Sequence, residues 1–144
     1  MIRRLSSAVL GIAVLSCLSL QVPAQDTGKC MREYKGVKLG MKTDEVHAAL
    51  GKPETTGENQ EEYKIGGDDL MTVHYDGGSV KVIQLYFADA KHAPAFKDVV
   101  GDAEITQSDS GAKVARRDMT AEKFWVTMFQ NKDASVTTVT ISRR

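Results

Sequence analysis

Two spacings of apolar residues alternate along this chain. In TDEVHAALGKPE, Val46, Ala49 and Leu50 fall at i, i+3 and i+4, one narrow stripe of a helix. Thr43 can cap its start, and Asp44 and Glu45 put negative charge on the first turn, where the helix dipole favours it. Gly51 suits the left-handed position after the last turn, and Pro53 blocks continuation. The result is a helix of about two turns, too short to stand alone, so it must pack on something else.

The same spacing returns in HAPAFKDVVGDAEIT, where Phe96, Val99, Val100 and Gly101 match Val46, Ala49, Leu50 and Gly51, and Pro94 takes the starting position. Each helix is followed by three runs that read as strands. The first set is 62–65, 70–75 and 80–87, divided by the turns Gly66-Gly67-Asp68-Asp69 and Asp76-Gly77-Gly78. The second set is 112–116, 123–129 and 136–141, with Asn131-Lys132-Asp133 as its last turn. The predicted class is α+β: a tandem repeat of a short helix plus a three-stranded antiparallel sheet. The repeats span residues 36–88 and 89–144, share one core and pack their helices on one face.

Period-two alternation divides the strands into two sets. Phe124, Val126 and Met128 oppose Trp125, Thr127 and Phe129, and Met71, Val73 and Tyr75 oppose Leu70, Thr72 and His74. Two short helices cover only one face of a sheet of about six strands, which leaves one set on an open face. The threonine-bearing set, with Gln84 and Tyr86, is the better fit to that face. Aromatic side chains among threonine and glutamine resemble the anchors of a protein interface. Trp125, Phe129, Tyr86 and His74 are therefore the candidate contacts. Asp68 and Asp69 extend them, because a Gly-Gly-Asp-Asp turn can aim two carboxylates at a basic cleft. The competing reading buries Trp125 and Phe129 under loops or the N-terminal arm.

The first residues change the cellular picture. Arg3 and Arg4, the apolar run 8–20 and Val22-Pro23-Ala24 form a secretory signal peptide over residues 1–24, followed by an N-terminal arm, 25–35. The apolar run is shorter than a membrane span, so the mature chain is expected to be periplasmic with no membrane span. The alternative is an outer-membrane lipoprotein anchored at Cys17, since Val14-Leu15-Ser16-Cys17 resembles a lipoprotein cleavage box. The leader carries two arginines and no acid, leaving 17 cations against 19 anions. A near-neutral chain without a basic run argues against nucleic acid as a partner. After processing, Cys30 is the one cysteine left, so no internal disulfide is expected. Cys30 reads either as a thiol tolerated in the arm or as the site of a disulfide-linked dimer.

Chemistry is hard to find in the pattern. His47, His74 and His92 show no zinc spacing, and Asp89-x-x-His92 is a weak match. Ser108 and Ser110 lack a nucleophile-elbow context, and the paired glycines serve turns. The acids Glu58, Glu61 and Glu62 lack an ordered calcium spacing. No catalytic residue, cofactor or metal is expected.

The helix and its flanks resemble a known family. Gly40, Met41, Glu45, Val46, Leu50, Gly51 and Pro53, followed by a tyrosine-bearing strand and a strand–Asp-Gly-Gly–strand hairpin, look like the SmpA/OmlA (BamE) group of small envelope domains. Lys42 departs from the pattern, standing where that family has its capping threonine or serine. The tandem arrangement is similar to the β-lactamase inhibitory protein (BLIP-like) fold. The resemblance covers roughly residues 36–87. It implies a secreted, non-catalytic module that binds another protein, an inhibitor or immunity-type protein of an envelope-acting enzyme. The alternative it implies is an accessory factor in outer-membrane assembly.

Overall fold

The structure, a computed structural model, describes residues 28–144. The signal peptide, its cleavage after Ala24 and the Cys17 alternative lie outside the described residues. Two short strands, β1 (Glu33–Tyr34) and β2 (Val37–Lys38), lead into helix α1 (Thr43–Leu50). Strands β3 (Thr55–Thr56), β4 (Gln60–Gly66), β5 (Asp69–Asp76) and β6 (Ser79–Phe87) follow. After helix α2 (Phe96–Val100) come β7 (Thr106–Gln107), β8 (Lys113–Met119), β9 (Phe124–Gln130) and β10 (Thr137–Arg143). No helix among the described residues is long and apolar enough to cross a membrane.

The α+β tandem of helix plus three-stranded sheets is corrected. The protein is mostly β: β1 and β2 pair as a small ribbon, and the other eight strands form one antiparallel sheet in the order β3-β4-β5-β6-β10-β9-β8-β7. The two expected sheets are one because β10 pairs with β6 along its length, from Thr137 opposite Phe87 to Ser142 opposite Val82. Each helix is followed by four strands instead of three, since β3 and β7 add two-residue edges. The helices, eight and five residues long, are minor covers on this sheet.

One face of the sheet carries the core. Met71, Val73, Ile83, Leu85, Phe87, Val126, Met128, Val139 and Ile141 alternate inward and are buried. Val37 of the ribbon, Val46 of α1, and Val99 and Val100 of α2 complete that core, with Leu50 and Phe96 partly buried against it. The Tyr34 ring meets Phe87 edge to face at 6.2 Å, so the ribbon caps the middle of the sheet. Lys42, not Thr43, is the N-cap of α1: its backbone N–H donates to the Glu45 carboxylate at 2.7 Å, one half of a capping box. Its ammonium reaches Ser79 at 2.8 Å and ties the helix start to β6. Beyond α2 the N-terminal arm runs so close to Gly101 that a Cβ there would lie 2.2 Å from the Lys29 carbonyl oxygen. Met31 N–H donates to Val99 C=O at 2.8 Å in the same crossing.

Candidate interaction face

The opposite face is set by strand register. Across β8, β9, β10, β6 and β5, the residues Val114, Phe129, Thr138, Tyr86 and Leu70 stand directly opposite one another, one to the next. Val114 is 40% exposed, Phe129 41% and Tyr86 39%, so three of the four large exposed apolar side chains among the described residues share a single row. Two residues along, a polar row runs through Arg116, Thr127, Thr140, Gln84 and Thr72. Between them lies a shallow groove of about 230 Å³ lined by Thr72, Gln84, Tyr86, Thr138 and Thr140. Hydroxyls and a carboxamide beside an aromatic edge can take both hydrogen bonds and apolar contacts from a protein segment.

The third row holds Asp118, Trp125, Ser142, Val82 and His74. Trp125 is half-buried, with the Arg116 guanidinium 4.3 Å from its ring centre. Asp118 accepts from Arg116 Nε at 2.9 Å and Arg116 Nη2 at 3.0 Å, and from Arg144. These hydrogen bonds hold its carboxyl well below the usual aspartate range. His74 Nε2 lies 3.1 Å from Gln84 Oε1, an oxygen that accepts, so this nitrogen carries the proton. The structure thus brings Trp125, Phe129, Tyr86 and His74 to one face.

Asp68 and Asp69 part company. Asp68 is exposed in the turn between β4 and β5. Asp69 is the first residue of β5, 4% exposed, on the same side as Met71. Its Oδ1 accepts the Ala88 N–H at 2.9 Å and its Oδ2 pairs with His92 Nδ1 at 2.9 Å. The turn is two residues, Gly67 and Asp68, where the sequence suggests four, so alternation sends Asp69 inward, where it ties the end of β6. Its expected place in a surface site is corrected. Cys30 is 7% exposed and packs within the core, so a disulfide-linked dimer through it would require the arm to open.

One constellation escaped the sequence reading. Glu61 is buried on the covered side, accepting from Tyr63 and Tyr75 hydroxyls at 2.7 Å each and facing His47 Nε2 at 2.9 Å. Burial alone would raise its pKa; the hydrogen bonds from Tyr63, Tyr75 and His47 outweigh it and leave the pKa lowered. Both tyrosines are pushed up, by burial first and then by the Glu61 carboxylate. A carboxylate this well supplied with donors is a poor base near neutral pH. Its visible work is to join α1 to β4 and β5. Tyr63 and Glu61 two residues apart, on one side of one strand, were the available signal. Among the described residues, no group of three or more His, Cys, Asp or Glu is arranged to hold a metal ion. Comparisons with protein-family models, with curated proteins and with solved structures find no match to this chain.

Proposed function

We propose that this protein is an exported, non-catalytic binding module whose open sheet face docks another protein. The observation that carries the reading is the single row of Val114, Phe129 and Tyr86, each exposed by about two fifths and aligned across the central strands. Large apolar side chains scattered over a surface need no explanation, but three in one register row, with only Thr138 between Phe129 and Tyr86, beside a polar groove mark an interaction surface. The partner is a protein that presents apolar side chains to the row and hydrogen-bonding groups to the threonine and glutamine positions. The secretory leader read in the sequence supports a partner in the envelope. An inhibitor-type role follows where the partner is an enzyme and the face closes over its substrate entrance.

The test is the double variant Tyr86→Ala/Phe129→Ala, assayed against the partner recovered by cross-linking from cells that produce the full chain. Both side chains project from a sheet whose core lies on the other side, so the variant keeps its melting temperature. Its affinity falls more than about tenfold, as expected for truncated aromatic anchors. A folded double variant that binds the partner unchanged removes the reading. Light scattering of the purified chain separates a foreign partner from a second copy: a dimer broken by the double variant would make the face a self-association surface.

A further inference from the structure

Away from the open face, a cavity of about 240 Å³ opens where the N-terminal ribbon meets the ends of β9 and β10. Phe124 and Arg143 face each other in register, and alternation puts them on the covered side with Val126 and Ile141. Phe124 and Leu39 give the cavity an apolar wall. Arg32 lies over the Phe124 ring at 5.7 Å and donates to Glu122 through Nε at 3.1 Å and Nη2 at 2.8 Å. Glu122 is the one carboxylate in the lining, and Arg32 holds it. Lys38, Lys123 and Arg143 also line the cavity, and none of them has a carboxylate partner among the described residues.

The backbone is shaped to allow this gathering of charge. Lys123 has φ +58°, in the left-handed region that ordinary side chains rarely adopt, and its C=O accepts the Arg144 N–H at 2.9 Å. Gly40 has φ +86°, and a Cβ there would lie 2.8 Å from Arg143 Nη2. Any other residue at position 40 would be strained by this φ, and its Cβ would crowd the end of the Arg143 side chain. The glycine that opens the Gly-Met-Lys-Thr stretch therefore makes room for a guanidinium.

We propose that this cavity binds a phosphoryl group carried on a small organic body. Three cations that line one cavity without a carboxylate partner repel one another, and a multiply charged anion between them relieves that repulsion. The guanidinium fork matches two phosphoryl oxygens, while the lysines act as point charges on the third. A single carboxylate would leave two cations unanswered. Phe124 and Leu39 offer the carrier an apolar wall, which a bare ion would not use. The carrier is either a soluble phosphomonoester or the phosphomonoester headgroup of phosphatidic acid.

Titrating the isotopically labelled chain with inorganic phosphate and with glycerol 3-phosphate, followed by amide chemical shifts, tests the binding. Co-sedimentation with phosphatidic acid vesicles, against phosphatidylcholine vesicles, tests the lipid source. The expected result is a saturable shift confined to residues 38–40, 123–124 and 143. It weakens by about tenfold or more in Lys123→Gln/Arg143→Gln, the loss of charge-assisted hydrogen bonds. Saturation by glycerol 3-phosphate without sedimentation assigns a soluble ligand; sedimentation with phosphatidic acid vesicles alone, lost in the double variant, assigns the lipid. Should the double variant unfold, Lys38→Gln/Lys123→Gln, with both side chains exposed, carries the same expectation. No saturable response to any probe, or a response equal in the folded variants, overturns the proposal.

Discussion

The Arg116 guanidinium stacks 4.3 Å from the centre of the Trp125 ring while both its Nε and Nη2 are held by Asp118. The chain has one tryptophan, so its fluorescence reports this stack alone. Arg116→Ala should leave the fold intact and shift Trp125 emission to longer wavelength, because the indole loses its cover to water. Asp118 is held below its usual 3.8, first by hydrogen bonds from Arg116 and Arg144, so the stack should persist as pH falls through that value. Emission that shifts near pH 3.8 in a folded chain would show that Asp118 does not hold Arg116.

Acid should act first through Glu61. Its folded pKa is lowered from the usual 4.5, so its stabilisation is fully present above 4.5 and is lost as pH falls below that value. Glu61→Gln removes a buried charged acceptor and should cost about 1–3 kcal/mol at neutral pH. It should also flatten the fall in stability below pH 4.5, which denaturant melts at several pH values measure. An unchanged slope in that acidic range would assign the acid sensitivity to other carboxylates.

Asp69 and its neighbour should respond in opposite ways to substitution. Asp69→Ala orphans the Ala88 N–H and unpairs His92, costing about 1–3 kcal/mol. Asp68→Ala, in the exposed turn, should leave the melting temperature within experimental error. Equal effects of the two in thermal unfolding would contradict the inward placement of Asp69.

The two helices offer a graded pair. Val100 is fully buried and Leu50 only partly, so Val100→Ala should destabilise by about 1–3 kcal/mol. Leu50→Ala should cost less than a fully buried leucine would, despite the larger side chain removed. Chemical denaturation gives both values. A larger loss at Leu50 would mean that α1, not α2, anchors the cover.

The strands were legible wherever alternation lasted. The six expected runs lie within two or three residues of β4, β5, β6, β8, β9 and β10, because Val, Ile, Thr and aromatic residues alternate there against one buried face. Sheet order was not legible: β10 joins β6 across fifty residues, and nothing in local periodicity records a partner that distant. The two-residue strands β1, β2, β3 and β7 are too short to carry a period. Asp69 was misplaced because Gly-Gly-Asp-Asp has the composition of a turn, while the strand already begins at its last residue. The Glu61 cluster draws on α1, β4 and β5, and the cationic cavity on the ribbon and two strand ends. Both exist only once the chain is folded.

The central claim is that the row through Val114, Phe129 and Tyr86 faces a partner protein. A photo-reactive phenylalanine analogue placed at Phe129, at Tyr86, and at Lys52 and Lys97 as exposed controls tests it in cells producing the full chain. The account predicts one and the same higher-mass adduct at positions 129 and 86, and none at 52 or 97. Adducts at the control positions alone, or none at 129 and 86 when the chain is folded, would contradict it.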